Sequence, residues 1–269
     1  MTKNEDVNYL VTFSGGMGAQ IISSAIYYFL KANEQNVYAD FSYFNRAPHF
    51  ATEGNKGEIT VWPWQIAHYG MYKHSYKQLE SKSLLNKITV IPDGPVKSKL
   101  FFDSVKHTLV KDRFYSMSKN FINILNSTGV DEENFSCIHI RRGDYINVAS
   151  HIVSDQDVIN VCKNLSPIIN KDLVIISDSP SKNNQRIIDM LSNYYKNIYW
   201  FDEMDEIDAH NTMRKAKILI TSNSQFSLTA ACLSNNVSFI PQTWYDKSVT
   251  ATKEVEQNIV SNTTFSLLN

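Results

Sequence analysis

The sequence has little cysteine and no long apolar run. Its three cysteines, Cys137, Cys162 and Cys232, lie far apart, which excludes a disulfide framework or a zinc site and predicts reduced, buried thiols. No apolar segment approaches the roughly 18–20 residues that cross a bilayer. The first residues lack a basic stretch followed by an apolar one, so we expect no signal peptide. These absences favour a cytoplasmic location.

An excess of charge of one sign is also lacking. The chain has 269 residues, of which 26 are basic and 27 acidic. Domains that bind nucleic acid usually carry a basic excess, so we expect no nucleic-acid partner. Hydrophobic residues make up 43% and charged residues 20%, as in a soluble protein that folds around a core. A charged ligand must therefore be bound by a local cluster of side chains.

Glycine and arginine are scarce and unevenly placed. Three of the 9 glycines lie between Gly15 and Gly18, and none follows Gly143. Only six residues are arginines, and two of them are adjacent, Arg141 and Arg142. The planar guanidinium binds anions bidentately, so the arginine pair is a candidate anion-binding position. The glycine cluster is the second candidate position for a functional site.

The hydrophobic pattern predicts an α/β fold with parallel sheets, because short apolar runs alternate with segments of helical periodicity. In the second half we predict strands at 136–141, 172–177, 198–201, 218–221 and 237–240, and helices at 154–165, 181–195, 207–216 and 225–233. In the first half we predict strands at 9–13, 37–41 and 88–91, and helices at 20–32 and 112–125. The last 20 residues carry no clear pattern. The polar segment 128–134 is the expected linker between lobes 1–128 and 129–269.

Three motifs lie at predicted strand ends, where ligands of such sheets bind. The first is Ser14-Gly-Gly-Met-Gly-Ala-Gln20, between a strand and a helix. Its glycines permit a tight turn, and the helix N-terminus favours an anion. The spacing matches neither the dinucleotide fingerprint nor a phosphate loop ending in Lys-Ser/Thr. A tight turn without a ligand is the alternative.

The second motif is Cys137-Ile-His-Ile-Arg-Arg-Gly-Asp-Tyr145. Alternation along a strand puts His139 and Arg141 on one face and Arg142 on the other. Two guanidiniums at a strand end need anions, and a diphosphate suits them. A structural network of ion pairs with Asp144 is the alternative. An adhesion role for Arg-Gly-Asp is disfavoured, because that tripeptide needs an exposed, flexible tip.

The third motif is Ile220-Thr-Ser-Asn-Ser-Gln-Phe-Ser227. Its hydroxyls either bind a phosphate or simply cap the following helix.

Two acidic segments are interpreted as structural. Asp155-Gln-Asp157 resembles a metal-binding Asp-x-Asp pair but falls in the first turn of a helix, after Ser154, where acids suit the helix dipole. The acidic run 202–208 is interpreted as a solvated loop and helix start.

His139-Ile-Arg-Arg-Gly-Asp-Tyr145 resembles the H-x-R-R-G-D-Y sequence of the α-1,2-fucosyltransferases of glycosyltransferase family 11. Segment 14–20 resembles that family's G-G-L-G-N-Q, with Met17 in place of Leu and Ala19 in place of Asn. Met213 and the later Asn223-Ser-Gln-Phe-Ser227 resemble its M-x(9)-N-S-S-F-S block, although Leu228 and Thr229 stand where the family has two tryptophans. The motifs also agree in order and spacing.

The resemblance implies a GT-B architecture, with two Rossmann-like lobes whose parallel sheets face a central cleft. It implies that lobe 1–128 faces a glycan acceptor and that lobe 129–269 binds GDP-β-L-fucose. It further implies inverting, metal-independent transfer of L-fucose, with the 2-OH of galactose as the expected acceptor hydroxyl. The acceptor would be a bacterial surface glycan or a lipid-linked oligosaccharide, with peripheral contact at the inner membrane.

The resemblance also assigns residue roles. Arg141 binds the β-phosphate and stabilises the leaving GDP, and Asp144 is the motif's candidate base, although an arginine partner would lower its pKa and leave the base unassigned. The residues expected to support the loop after the strand are Arg142, Gly143 and Tyr145. The donor site is expected to contain Gly16, Gly18, His139, Arg141, Asp178, Ser222, Asn223, Ser224 and Phe226.

Two alternatives to this function remain open. One is a transferase for another GDP-deoxysugar or another acceptor position. The other is a non-catalytic module that binds a nucleotide, in which the arginine pair only holds a phosphate. An aromatic-rich stretch at 61–76 either stacks on sugar rings or forms core, and core is favoured; its members are Trp62, Trp64, His68, Tyr69 and Tyr72.

Overall fold

The computed structural model describes residues 8–45, 49–50, 59–60, 63–79, 88–91, 95–107, 110, 112–114, 120–143, 145, 152–165, 171–241 and 266–268. The chain forms two compact units, Met1–Tyr115 and Ser116–Asn269, called unit 1 and unit 2 below. Each unit contains a sheet of parallel strands together with helices, which confirms the predicted α/β class.

Unit 1 contains a three-stranded parallel sheet and a short antiparallel pair. Its strands are β1 (Asn8–Thr12), β2 (Asn36–Asp40), β3 (His49–Phe50), β4 (Ile59–Thr60) and β5 (Ile88–Ile91). Its α-helices are α1 (Met17–Ala32) and α2 (Pro95–Val105), and its 3-10 helices are Ser42–Asn45, Ile66–Tyr69, Lys73–Ser75 and Asp112–Phe114. The parallel strands lie in the order β2-β1-β5, so the first strand is the central one.

The core of unit 1 is unusually aromatic at the carboxyl end of its sheet. Phe13 and Phe41 follow β1 and β2 directly, and their ring centroids lie 4.9 Å apart. Trp64 and Tyr76 pack on this pair. The apolar residues of α1 recur at helical spacing, and their side chains are buried against this core. Burial of these rings supplies much of the driving force for folding this unit.

Unit 2 contains a six-stranded parallel sheet. Its strands are β6 (Ser136–Ile140), β7 (Asp172–Ser177), β8 (Asn197–Phe201), β9 (Ile218–Ile220), β10 (Val237–Pro241) and β11 (Ser266–Leu268). Its helices are α3 (Asn120–Thr128), α4 (Asp155–Leu165), α5 (Gln185–Leu191), α6 (Glu206–Lys215) and α7 (Gln225–Leu233), with a 3-10 helix at Ser181–Asn183. The strand order is β11-β10-β9-β6-β7-β8.

Helices cover both faces of the unit 2 sheet. On one face, Ile138 and Ile140 of β6 lie in a core cluster with residues of α4 and α5. On the other face, Cys137 lies in a second cluster with residues of α3, α6 and α7. Adjacent residues of β6 thus pack into the cores on opposite faces of the sheet, because successive side chains of a strand point to opposite faces. This explains why the strand is apolar throughout and fully buried.

The position of α3 differs from the prediction. A single helix at 112–125 was expected, whereas the structure has a 3-10 helix at Asp112–Phe114 and a separate α-helix at Asn120–Thr128. Phe121 and Leu125 of this helix pack into the unit 2 core. The two units consequently divide between Tyr115 and Ser116, before the linker expected at 128–134.

Two other elements differ in extent. The helix predicted at 181–195 is shorter, because the chain forms a 3-10 turn at Ser181–Asn183 before α5. Strand β11 was not predicted, because a strand of three residues is too short to show a hydrophobic pattern. It pairs in parallel with β10. The three cysteines are buried thiols, as predicted. None of the helices in the described part of the chain is long and apolar enough to cross a membrane.

Candidate functional site

Three loops leave neighbouring strands at one edge of the unit 2 sheet. Residues 141–143 follow β6, Asp178 follows β7 and residues 221–224 follow β9, and β6 lies between the other two strands. The chain passes from β6 to α4 on one face of the sheet and from β9 to α7 on the other. The strand order therefore reverses between β6 and β9, which is the place where doubly wound sheets bind their ligands.

Arg141 and Asp178 form an ion pair at this edge. Nε of Arg141 lies 3.0 Å from Oδ2 of Asp178, and both side chains are about three-quarters buried. The other carboxylate oxygen, Oδ1, accepts a hydrogen bond of 2.7 Å from the backbone N–H of Arg142. The guanidinium of Arg141 also lies 5.4 Å from the ring centroid of Tyr145. The arginine is thus held in one orientation from two sides.

Gly143 is required by the position of Asp178. A Cβ atom at residue 143 would lie 2.5 Å from Oδ2 and 3.1 Å from Cγ of Asp178. The backbone of Gly143 is not in the left-handed region, so the requirement is for space and not for conformation. A larger side chain would displace the carboxylate that holds Arg141.

Arg142 points away from Arg141, as strand alternation predicted. Its Nη2 lies 2.5 Å from Oδ1 of Asp155, the first residue of α4. Its Nη1 donates to the carbonyl of Val153 at 3.0 Å. Asp155 is therefore engaged in fixing the loop to α4. The neighbouring Ser154 accepts a hydrogen bond from the backbone N–H of Asp157 at 3.1 Å and so caps the N-terminus of α4.

His139 is a buried, neutral histidine on the Arg141 side of β6. Its Nδ1 lies 2.7 Å from Oγ of Ser222, which brings the second and third motifs into contact. Burial, and secondly the nearby Arg141 guanidinium, lowers the pKa of His139 to about 3. The ring therefore orders the site as a hydrogen-bonding partner and carries no charge at neutral pH.

A second buried histidine, His210 of α6, was missed by the sequence analysis. Its ring centroid lies 5.4 Å from that of Phe226, which in turn lies 5.8 Å from that of His139. Its Nε2 lies 3.2 Å from Oγ1 of Thr229. Burial lowers the pKa of His210 well below its ordinary value. The only sequence signal was a histidine on the inner side of a helix, which is common in cores.

The hydroxyls of the third motif serve different purposes. Ser224 caps α7, because its side chain accepts a hydrogen bond from the backbone N–H of Phe226 at 3.3 Å. This is the structural alternative that the sequence left open for that residue. Asn223 is buried, and its Oδ1 atom has no hydrogen-bond partner within the described part of the chain. A buried amide oxygen without a partner is costly and is a candidate to accept a hydrogen bond from a ligand.

The glycine-rich turn lies in unit 1, at the carboxyl end of β1. Gly15 has a left-handed backbone with φ of +68° and Gly16 caps α1, while Gly18 lies in the first helical turn. Gln20 fixes this turn from within the core. Its Nε2 donates to the carbonyls of Gly15 at 2.9 Å and of Pro63 at 2.8 Å.

A buried lysine beside this turn was also missed by the sequence analysis. Lys97 lies near the start of α2, and its Nζ donates to the carbonyl of Thr12, the last residue of β1, at 2.9 Å. The adjacency follows from the pairing of β1 with β5, the strand before α2. No local pattern distinguishes this lysine from the exposed ones.

The aromatic stretch divides between core and surface. Tyr69 is buried, Trp64 is half-buried, and Tyr72 and His68 are exposed. Trp62 and the candidate base Asp144 lie outside the described residues. In the part of the chain that the structure describes, no group of three or more His, Cys, Asp or Glu side chains is arranged to hold a metal ion.

The fold and these loops define a doubly wound α/β protein with a polar, arginine-containing candidate site at the switch point of its larger sheet. The sequence profile described as glycosyl transferase family 11 matches residues 62–263. The chain belongs to this family, which confirms the resemblance seen in its motifs. Its two α/β units with parallel sheets are the two lobes expected of the GT-B class.

Solved structures were also compared. POFUT1 in complex with GDP-fucose has a TM-score of 0.49 and 12% identity, over 89% of this chain and 99% of that chain. E. coli ADP-heptose LPS heptosyltransferase II has a TM-score of 0.44 and 11% identity, over 98% and 90% of the two chains. The strand order of the two sheets and the family define the fold. No curated protein sequence matches the chain.

Proposed function

We propose that this protein is an inverting fucosyltransferase that transfers L-fucose from GDP-β-L-fucose to a hydroxyl of a glycan. The proposal assigns donor binding to unit 2 and acceptor binding to unit 1. For the acceptor group we propose the 2-OH of a galactose residue, as in the family 11 enzymes whose motifs the chain resembles. We place the reaction in the cytoplasm, with a surface glycan precursor or a lipid-linked oligosaccharide as acceptor.

The observation that carries the proposal is the oriented arginine at the switch point of the unit 2 sheet. Arg141 is fixed by Asp178 through Nε, next to the buried His139–Ser222 pair. The N-terminus of α7 begins in the adjacent loop, and its dipole favours a negatively charged ligand. A diphosphate carries the charge and the acceptor oxygens that this combination suits.

The chemistry follows from where charge develops. When the bond between fucose and GDP breaks, negative charge accumulates on a β-phosphate oxygen. A guanidinium fixed beforehand stabilises this charge more in the transition state than in the ground state. The acceptor hydroxyl attacks the opposite face of the sugar, so a β-linked donor gives an α-linked product.

The structure supports a positioning role for Asp178. Both of its carboxylate oxygens have protein partners, Arg141 and the backbone of Arg142. We therefore propose that it acts on the donor through Arg141. Arg141 and the α7 N-terminus supply positive potential from the protein itself, and on this basis we propose transfer without a divalent metal ion.

A thermal-shift panel with GDP, UDP, CMP and ADP, each with and without EDTA, tests the donor site. At 100 times its dissociation constant a ligand adds about 2.7 kcal/mol, which raises the Tm of a chain of this size by roughly 5–11 °C. We expect a shift with GDP alone that EDTA does not change. Absence of a shift with every nucleotide would refute the donor-site assignment.

Turnover distinguishes the remaining possibilities. Release of GDP from GDP-fucose in the presence of glycan acceptors is expected from a fucosyltransferase. A GDP shift without turnover of any GDP-sugar would indicate a binding module. Turnover of a different GDP-deoxysugar, with GDP-fucose inactive, would retain the donor site but correct the sugar.

A further inference from the structure

Tyr72 is the most exposed aromatic side chain among the described residues of unit 1. It is 49% exposed, whereas its neighbours Tyr69 and Tyr76 are buried. The ring of His74 is stacked on it, with centroids 5.4 Å apart and an angle of 5° between the planes. One face of the tyrosine ring is thus covered by a protein ring, while much of the side chain faces solvent. A solvent-facing tyrosine ring offers an apolar surface on which a ligand can pack, together with a polar hydroxyl.

The segment that carries this stacked pair is held in one conformation. Gly70 turns the chain with φ of +71°, and the backbone N–H of Ser75 donates to the carbonyl of Tyr72 at 2.8 Å. The indole N–H of Trp64 donates to the carbonyl of Met71, the residue before Tyr72, at 2.8 Å. An exposed ring on a fixed turn loses little conformational entropy when it binds a ligand.

Lys73, the residue between Tyr72 and His74 in the sequence, places its ammonium group over two other rings. Nζ of Lys73 is 4.7 Å from the ring centroid of Phe44 and 5.8 Å from that of Trp64. The ammonium group has three N–H donors, which hydroxyl groups accept. Between Tyr72 and Leu79 the sequence has two lysines and one histidine and no acidic residue. The surface therefore combines an apolar ring face with hydrogen-bond donors, which is the chemistry that recognises a pyranose.

The surface also lies at the ligand-binding edge of the unit 1 sheet. Trp64, which contacts Lys73, packs on Phe13 and Phe41, and these residues directly follow β1 and β2. Gln20 joins the adjoining Pro63 to the glycine-rich turn at the end of β1. Ligands of parallel sheets bind beyond the carboxyl ends of their strands.

We infer that Tyr72, stacked on His74 and flanked by Lys73, is a binding platform for a pyranose ring of the glycan acceptor. The inference rests on the proposed function, because it assigns the acceptor of that reaction to these residues. The apolar face of the pyranose lies on the exposed face of Tyr72, and its hydroxyls accept hydrogen bonds from Lys73. Tyr72 is thereby a specificity-determining residue that takes no part in donor binding.

The test uses the full chain and four variants. Tyr72→Ala removes the ring, Tyr72→Phe retains it, and Lys73→Ala removes the cation. His68→Ala is the matched control, because His68 is an exposed ring on the preceding 3-10 helix. Saturation-transfer NMR measures binding of lactose, cellobiose and maltose to each protein. Where the wild type transfers fucose, the KM for the acceptor is measured as well.

We expect Tyr72→Ala to weaken binding of the preferred disaccharide, and to raise its KM, by about tenfold, which corresponds to about 1.4 kcal/mol. Lys73→Ala should weaken binding less. The Phe variant and His68→Ala should resemble the wild type. The GDP thermal shift should be unchanged in all variants, which shows that they are folded and bind donor normally.

Two results with the variants would each overturn the inference. One is unchanged disaccharide binding in Tyr72→Ala, and the other is an equal loss in His68→Ala. The NMR measurement does not depend on the reaction. If the wild type binds a disaccharide through Tyr72 but neither binds GDP nor transfers fucose, the platform stands and the proposed function fails. If the wild type binds GDP and none of the disaccharides, the donor site stands and the platform fails.

Discussion

The carboxylate of Asp178 bridges the side chain of Arg141 and the main chain of Arg142. It accepts from Arg141 Nε at 3.0 Å through one oxygen and from the Arg142 backbone N–H at 2.7 Å through the other. One residue at the end of β7 therefore fixes both the guanidinium and the loop that carries it. The contact exists because β6 and β7 are neighbouring parallel strands that end at the same edge.

Removing the guanidinium should abolish most of the turnover. We expect Arg141→Ala to lower kcat by about 10²–10³, the loss typical of one preorganised donor to a developing anion. Steady-state release of GDP from GDP-fucose measures this. Arg186→Ala, at an exposed position of α5, is the control and should keep wild-type activity. Near-normal turnover of Arg141→Ala would show that the residue has another role.

Substitution of Asp178 should separate its two functions. Asp178→Asn retains an oxygen for the Arg142 N–H but loses the charge that pairs with Arg141, whereas Asp178→Ala loses both. A hydrogen bond to a charged group contributes about 1.5–3 kcal/mol, so we expect kcat/KM to fall roughly tenfold to a hundredfold, and further in the Ala variant.

The control for this pair is Asp189→Asn, which changes an exposed carboxylate on α5. Activity is measured per folded protein, with thermal denaturation of each variant as the reference. A fall in Tm without a fall in kcat/KM would mean that Asp178 supports only the fold. The positioning role predicts a loss of activity in variants that remain folded at the assay temperature.

Gly143→Ala should impair the site through Asp178. The added Cβ would lie 2.5 Å from the Asp178 carboxylate oxygen, so the carboxylate must move away from Arg141. We expect a loss of kcat/KM similar to that of Asp178→Ala. In the Asp178→Ala background the clash is gone, so the glycine substitution should cost little more. Additive losses in the double variant would contradict this coupling.

Two buried histidines should make the stability of the protein sensitive to mild acid. The native pKa of His139 is lowered to about 3 by burial and by Arg141, and burial also lowers that of His210. Below the ordinary value of about 6.5 the unfolded chain takes up these protons and the native protein does not. The contribution of the two neutral histidines to stability is therefore fully present above pH 6.5. Below that pH the free energy of unfolding falls as the pH decreases.

Urea denaturation at pH 7.5, 6.5 and 5.5 measures this effect. We expect a loss of about 1.4 kcal/mol for each of the two histidines between the highest and lowest pH. His139→Gln and His210→Gln should each flatten the pH dependence. Equal stability of the wild type at pH 7.5 and 5.5 would contradict this expectation, because the native protein would then take up these protons as readily as the unfolded chain.

The sequence by itself determined the α/β class, most strand and helix positions, the family and the loops that carry the site. Periodicity and turn residues are local properties, so the strands at 136–141 and 218–221 were predicted to within a residue of their observed ends. Alternation along β6 also placed Arg141 and Arg142 on opposite faces correctly. The glycine turn could be located, but which glycine has a left-handed backbone could not.

Only the tertiary structure decided which residues meet. Asp178, and not a residue of the same loop, proved to hold Arg141, and Ser222 proved to bond His139, 83 positions earlier in the chain. These contacts depend on strand order, because β6 lies between β7 and β9 only after the sheet has formed. The roles of His210 and Lys97, and the division of the aromatic stretch into core and platform, depend likewise on packing between distant segments.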